Sequence, residues 1–474
     1  MNVSDWLSAL RAHTCTVVGI GISNLPLIRM LARSGIFVSA RDCKERDAFK
    51  DVAGELETLG VRLILGAHYL DDLNEEIIFR SPGLRPDLPE FSAAVARGAV
   101  LTSEMEEFLK LSPATVIGIT GSDGKTTTTT VTAKILEKEC RKRGSGSVFL
   151  GGNIGSPLLP RISEMTSADF AVAELSSFQL QTVTVSPAIA AITNISPNHL
   201  NWHTGMDEYI RAKANIFSHP ENRRWVTNAE NAVTLELSGK SPHPVTLFSS
   251  QKHHPSEFPA LCGLHAVYER EGMIFLWNGS KEVPILPAEE ILLPGRHNLE
   301  NYMTAIALTE GLVSPESVRQ VAGSFRGVPH RLEKVRVVRG VTYYNSSIDS
   351  SPTRTAAALH ALKEKPIVIC GGCDKNIPFA PLAEVLAERA KAVVLTGATA
   401  KKIRAALDDC PAVLQSRLPV LEVPEFSDAV LAAEHLAKPE DTVLLSPACA
   451  SFDAFRNFEE RGDAFRRLVE RIPE

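Results

Sequence analysis

Short runs rich in valine and isoleucine alternate with helical stretches from one end of this chain to the other. Buried parallel strands read as near-continuous apolar runs, and parallel neighbours need a crossover that is usually a helix. The pattern therefore predicts an α/β protein built from helix-covered parallel sheets. Cys15-Thr-Val-Val-Gly-Ile-Gly-Ile22, Ile36-Phe-Val-Ser-Ala40, Ile77-Ile-Phe79, Thr115-Val-Ile-Gly-Ile119, Phe170-Ala-Val-Ala-Glu174 and Ala188-Ile-Ala-Ala-Ile192 read as strands, as do residues 335–344, 366–370, 392–395 and 442–445. Residues 242–287 interrupt the pattern with His, Pro and Gly, and read as a peripheral antiparallel or loop-rich insertion. At about 150 residues per domain, 474 residues call for three.

Composition narrows the function classes. With 44% hydrophobic and 22% charged residues the chain can bury its own cores. Its 50 basic and 56 acidic residues sum to −6, so no global basic field recruits nucleic acid or anionic lipid. No apolar run approaches the roughly 18 residues of a membrane span, and residues 1–6 lack a signal-peptide start, so a cytoplasmic protein is expected. The eight cysteines are dispersed. Cys370-Gly-Gly-Cys373 alone has redox or metal spacing, yet it ends an apolar strand with no second ligand pair, and a structural role is expected.

Two glycine-rich turns carry the chemistry. In the first, Gly19 and Gly21 follow a strand and Asp42 lies about 20 residues on, as in a dinucleotide fingerprint, but its third glycine is replaced by Asn24. An NAD-dependent dehydrogenase would rest on that weak match alone. Ser81-Pro82-Gly83 forms a turn that could face the same ligand. The second, Gly118-Ile-Thr-Gly121-Ser-Asp-Gly124-Lys125-Thr126, is much stronger. Backbone N–H groups and a helix N-terminus would cradle phosphate, Lys125 would bridge phosphoryl groups, and Thr126 would ligate Mg²⁺. Gly118 is one residue early for the strict phosphate loop, so Gly121 is the working hinge. Glu174, at a strand's carboxyl end, is a candidate metal ligand.

At this point the chain resembles the Mur ligases, ATP-dependent amide-forming enzymes of peptidoglycan synthesis. Gly121-Ser-Asp-Gly124-Lys125-Thr126 matches their phosphate loop, and further matches follow in order: Gly151-Gly-Asn153-Ile-Gly155, Glu174-Leu-Ser-Ser-Phe-Gln-Leu180, Asn194-Ile-Ser-Pro-Asn198-His199-Leu-Asn201, Gly295-Arg-His297-Asn298-Leu-Glu-Asn301 and Pro329-His330-Arg331-Leu-Glu333. Ser446-Pro-Ala-Cys-Ala-Ser451-Phe-Asp453 through Phe465, with Ser81-Pro-Gly-Leu-Arg-Pro-Asp87, looks like the branch that adds D-glutamate. The Asp-Asn-Pro-Arg signature of the diaminopimelate-adding branch is absent from the sequence.

The resemblance implies three domains: a Rossmann-like N-terminal domain for the uridine nucleotide (1–109), a central P-loop ATPase-like domain (110–328) and a C-terminal Rossmann-like domain for the amino acid (329–474). It implies transfer of a phosphoryl group from ATP to the carboxylate of UDP-N-acetylmuramoyl-L-alanine, then attack by D-glutamate on the acyl phosphate, in a monomer holding two Mg²⁺ ions. Gly121, Ser122, Asp123, Gly124, Lys125, Thr126 and Thr127 would hold ATP phosphates, with Asn301 and His330 at adenine or ribose and Arg331 at the γ-phosphate. Metal ligands would be Thr126, Glu174, His199 and a carbamylated Lys213; Asn153 would contact substrate and transition state. Ile22, Ser23, Asp42, Cys43, Ser81 and Gly83 would receive the uridine part, and Ser350, Lys375, Ser451 and Phe458 the D-glutamate.

The chain departs from the family's pattern in places. In Tyr344-Asn345-Ser346-Ser347-Ile348-Asp349, Ser346 replaces an acid that helps with ATP, and Asp349 is a candidate substitute; Asn198 and Asn201 replace acids near the metal. These departures suggest the second alternative, a non-catalytic nucleotide-binding regulator on a ligase scaffold. Closure between the ATP-binding and amino-acid-binding domains is expected.

Overall fold

The computed structural model describes residues 2–200, 202–259, 265–293, 295–374 and 377–474. They form three sheets within two compact units, Met1–Phe325 and Arg326–Glu474. The first sheet is wholly parallel, its five strands ordered Arg62–Leu65, Val38–Asp42, Cys15–Val18, Ile77–Arg80 and Val100–Thr102. All four residues of Cys15–Val18 are buried, as expected of a strand covered on both faces. The helix Leu25–Arg33 opens with proline in its first turn and turns Leu27, Ile28 and Leu31 inward.

The second sheet has nine strands. Within it Thr115–Thr120 pairs in parallel with Phe170–Glu174 on one side and Ile189–Ile192 on the other. Gly118 sits in this strand for packing: a Cβ there would lie 2.5 Å from Pro187 Cγ. Val148–Gly152 closes one edge. Toward the other edge Arg224–Asn228 and Val245–Ser249 continue the parallel set. His265–Arg270 adds one more parallel strand, and Met273–Trp277 and Glu282–Pro287 then follow antiparallel, so much of the expected insertion is an extension of the sheet.

In the second unit the order is Glu333–Val338, Val341–Asn345, Thr442–Leu445, Ile367–Gly371, Ala392–Thr396 and Val420–Glu422. Residues 335–344, expected as one strand, are the body of an antiparallel hairpin. Arg339 and Gly340 both take positive φ (51° and 76°), which tightens the connection into a two-residue turn whose twist suits a hairpin. The remaining pairings are parallel. Cys370 is buried at the end of Ile367–Gly371, where burial pushes its thiol up, and Cys373 is half-buried; the described cysteines are free thiols. No described helix is long and apolar enough to cross a membrane.

Candidate active site

The phosphate loop joins the strand Thr115–Thr120 to the helix Lys125–Arg143 at the carboxyl edge of the central sheet. Two of its positions demand glycine. Gly121 has φ +148° and a Cβ would sit 1.8 Å from Thr193 Oγ1; Gly124 has φ +78° and a Cβ would sit 2.4 Å from Asn301 Oδ1. The residues around 193–196 clamp the loop: Thr193 Oγ1 donates to the Asp123 carbonyl (2.6 Å), and the Ser122 hydroxyl donates to the Ser196 carbonyl (2.9 Å).

This clamp revises one expectation. The N–H groups of Ser122 and Asp123 are bonded to Asn194, through its carbonyl (2.9 Å) and its Oδ1 (3.0 Å), instead of being presented to a phosphate. The donors of the first helical turn, Lys125, Thr126 and Thr127, follow Gly124, an N-cap with no side chain to bond them. Lys125 folds over the loop, its ammonium donating to the carbonyls of Gly121 (2.9 Å) and Ser122 (3.0 Å). The threonine run suits a helix for a local reason. Thr129 and Thr130 donate back to the carbonyls of Lys125 and Thr126 (2.8 Å each), while Thr128 donates to Asn301 Oδ1 (3.1 Å). Asn301 is thereby fixed at the loop.

Glu174 ends its strand in a buried position. Its Oε1 accepts from the Asn153 amide (2.7 Å), whereas its buried Oε2 has no hydrogen-bond partner. A buried carboxylate oxygen without a partner is costly in a protein alone, and a cation would satisfy it. Lys213 lies 1% exposed on the helix Met206–Ala214, its amine donating to the Gly121 carbonyl (2.8 Å) and Thr120 Oγ1 (3.1 Å). Burial, reinforced by the like charge of Lys125, holds this amine well below the usual lysine range, against the opposing pull of Glu174 and Asp123. Partial desolvation and the charges of Lys125 and Lys213 also lower His199, whose φ is +54° and whose ring packs against Phe178. A neutral imidazole and an unpartnered carboxylate oxygen suit a metal. Among the described residues no three His, Cys, Asp or Glu side chains gather closely enough to hold one, so a Mg²⁺ ion would depend on hydroxyl and phosphate oxygens as well.

Beside this cluster, and within the same compact unit, lies a cavity of about 330 Å³. Ile22, Ser23, Ser81 and Gly83 line one wall, and Asn153 and Phe178 belong to the other. Ile22 is 85% exposed, an apolar surface at the cavity wall. Asp42 and Cys43 do not line the cavity. Asp42 is engaged by backbone, its Oδ2 accepting from Ile20 N–H (2.7 Å) and its Oδ1 from Lys44 N–H (3.0 Å), so it shapes the glycine turn. That also removes the acid on which a dehydrogenase reading would rely.

The remaining expected residues belong to the second unit. His330 is buried, with φ +62°; its Nδ1 accepts from Asn345 Nδ2 (3.0 Å) and its ring meets Phe458 edge-on. Burial lowers its pKa, with Glu333 and Asp463 opposing. Gly462 is glycine because a Cβ there would lie 2.1 Å from that nitrogen. Arg331 is exposed, Ser350 half-buried and Ser451 buried. Phe458 opens the helix Phe458–Glu470 and its carbonyl accepts from Ser347 Oγ (2.8 Å). Asp349 is buried with its carboxylate bonded to the Ser446 hydroxyl (2.8 Å), an interior contact. Lys375, like Asn201, lies outside the described residues.

Tyr209 was not singled out from the sequence. Its ring lies under the Lys213 amine, 4.8 Å from the centroid, and its hydroxyl meets Ser122 Oγ (3.0 Å). The signal was available, since four residues separate the two on one helical face. Arg80, immediately before Ser81-Pro82-Gly83, carries no such signal in the sequence.

These features define an ATP-dependent ligase scaffold, and comparison with known proteins agrees. Residues 119–309 match the Mur ligase middle domain and residues 330–449 the Mur ligase glutamate ligase domain. The chain belongs to the Mur ligase family. It is 44% identical over 460 residues, 96% of each chain, to the UDP-N-acetylmuramoylalanine–D-glutamate ligase of Ruminiclostridium cellulolyticum. It is 42% identical to the ligase of the same name from Acetivibrio thermocellus, over 99% of both chains. Among solved structures, the UDP-N-acetylmuramate–alanine ligase of Thermotoga maritima shares the fold, with a TM-score of 0.53 and 20% identity over 97% of this chain and 99% of that one.

Proposed function

We propose that this protein joins D-glutamate to UDP-N-acetylmuramoyl-L-alanine at the expense of ATP, as a D-glutamate-adding ligase of peptidoglycan synthesis. The observation that carries the reading is the convergence, at one loop, of Lys125, the buried Lys213 and the partly unpartnered Glu174, beside a cavity large enough for part of a nucleotide sugar. The whole-length likeness to ligases bearing that name supports the choice of substrates.

In the first step an oxygen of the alanine carboxylate attacks the γ-phosphorus of ATP, and the bond to the β–γ bridging oxygen breaks to release ADP. In the second the amine of D-glutamate attacks the acyl carbon, loses a proton, and phosphate departs with the carboxylate oxygen. Both steps crowd anions together, so cations and fixed dipoles should dominate catalysis. Lys125 and the first-turn N–H groups would hold the transferring phosphoryl group, and Asn153 would orient Glu174 and the substrate. Thr126, Glu174 and His199 would hold Mg²⁺, which when bound supplies charge neutralisation between the phosphate and the carboxylate; two ions are part of the proposal.

Burial that lowers the Lys213 amine below the usual lysine range also favours the unprotonated, nucleophilic form. Attack by Lys213 Nζ on carbon dioxide, with loss of a proton, would make a carbamate and turn a cation into an anion beside the metal. On the same reading residues 1–109, 110–328 and 329–474 serve the uridine nucleotide, ATP and D-glutamate respectively, in a monomer. Phosphate release tests the whole: it should require ATP, Mg²⁺, UDP-N-acetylmuramoyl-L-alanine and D-glutamate together. Release that persists when D-glutamate is replaced by other amino acids would overturn the assignment.

A further inference from the structure

The two walls of the cavity come from different sheets, and one buried side chain bonds to both. Arg80 ends the strand Ile77–Arg80, is 1% exposed, and lies immediately before Ser81-Pro82-Gly83. Its Nη1 donates to the carbonyls of Ser81 (3.2 Å), Pro82 (3.4 Å) and Leu84, all in the turn that forms the first wall. Its Nη2 donates to the carbonyl of Phe178 (3.3 Å) and to Thr182 Oγ1 (3.2 Å), in the segment that forms the second. Phe178, Ser81 and Gly83 all line the cavity. A planar guanidinium with donors fixed in a fork can hold two walls at a set separation; a lysine ammonium, a single point of charge, cannot reach both.

Burying a guanidinium is costly, and burial pulls this one down to about 10, with Glu106 opposing. The cost is matched by carbonyl and hydroxyl acceptors on both sides. Outside the cavity the half-buried Arg85 repeats the arrangement, donating to the Trp202 carbonyl and to Glu208 (3.1 Å), while Trp202 Nε1 donates back to the Gly83 carbonyl (3.3 Å). The turn is thus held from both ends to the helices and loops around residues 178–182 and 202–208.

We propose that Arg80 is a positioning residue for the nucleotide-sugar substrate, setting the width of the cavity by bonding both walls without touching the ligand. The inference rests on the reading that this cavity receives UDP-N-acetylmuramoyl-L-alanine. Loss of a brace should weaken binding of the ligand between the walls and leave ATP, held by the phosphate loop, unaffected.

The test is calorimetric binding of UDP-N-acetylmuramoyl-L-alanine, with KM for each substrate and thermal melting, on wild type, R80M, R80K and T182V. R80M should raise both Kd and KM for the nucleotide sugar by about tenfold or more, the scale of one charge-assisted hydrogen bond, with KM for ATP within about twofold. R80K should fail to restore binding, because it lacks the fork, and T182V should raise Kd by about threefold, on the scale of a neutral hydrogen bond. Unchanged Kd in R80M and T182V overturns the inference, as does an equal rise of KM for ATP. If R80M does not fold, T182V decides by the same criterion. Failure of the wild-type protein to bind the nucleotide sugar overturns the functional reading and the inference built on it, whereas tight wild-type binding with unchanged variants overturns the inference alone.

Discussion

Glu104→Gln should make the protein more stable in alkali and leave it nearly unchanged in acid. Glu104 opens the helix Glu104–Leu111 between the first and central sheets, 5% exposed, and its Oε1 accepts from the Leu159 N–H (2.7 Å). Its two glutamate neighbours are better served: Glu106 is bonded to Thr184 and paired with Lys110, and Glu107 is bonded to Thr102 and Lys110. Glu104 is pushed up to about 7, mainly by burial, with the N–H groups of Leu159 and Leu158 opposing. An unfolded glutamate titrates near 4.3, so ionising Glu104 within the fold costs roughly 4 kcal/mol more than in the unfolded chain. The sign follows. Below about pH 4 both states hold the proton and the residue is neutral to stability; as pH rises toward 7 the unfolded state sheds its proton first, and the folded state loses ground until about pH 7 is passed. Glutamine keeps the acceptor for Leu159 without the titration. At roughly 2 °C per kcal/mol for a unit this large, the variant's melting temperature should match wild type near pH 5 to within about two degrees and exceed it by about 7 °C at pH 8.5. Scanning calorimetry across that range is the assay. A difference between the two proteins that does not change with pH would refute the reasoning.

Other variants test the site directly. Lys125→Ala should lower kcat by about a thousandfold, the scale of losing a principal oxyanion contact, with folding intact by melting temperature. Lys213→Ala should abolish turnover and regain part of it with added short carboxylates, and wild type should lose activity in bicarbonate-depleted buffer; full activity there would count against the carbamate. Gly121→Ala forces a Cβ to 1.8 Å from Thr193 Oγ1 at a φ of +148°, so phosphate release should fall at least a hundredfold, and Thr193→Ala in the same chain should recover only the steric part.

Much of this was legible because the chemistry is local. The phosphate loop, Glu174 and the Gly151-Gly-Asn153 segment are contiguous motifs whose residue types state their own purpose, and the structure brings them together at the carboxyl edge of one sheet. What escaped depends on contacts between distant segments. Nothing near Ser122 or Asp123 discloses that Asn194 takes their N–H groups, some 70 residues later. Asp42 is an acid at the expected distance from a glycine turn, yet the turn itself occupies it. Arg80 reads as a polar strand end, and only tertiary structure gives Phe178 and Thr182 as its partners. The hairpin at Arg339-Gly340 escaped because a valine-rich stretch on both sides hides a two-residue turn.

The central claim is that the substrate carboxylate, and not water, takes the phosphoryl group beside Lys125. UDP-N-acetylmuramoyl-L-alanine labelled with ¹⁸O in its carboxylate distinguishes the two by mass spectrometry of the phosphate released during amide formation. Transfer of one ¹⁸O atom to each phosphate is predicted, because the oxygen that attacked phosphorus leaves with it. Unlabelled phosphate, with both heavy atoms left on the unreacted carboxylate, would contradict the account.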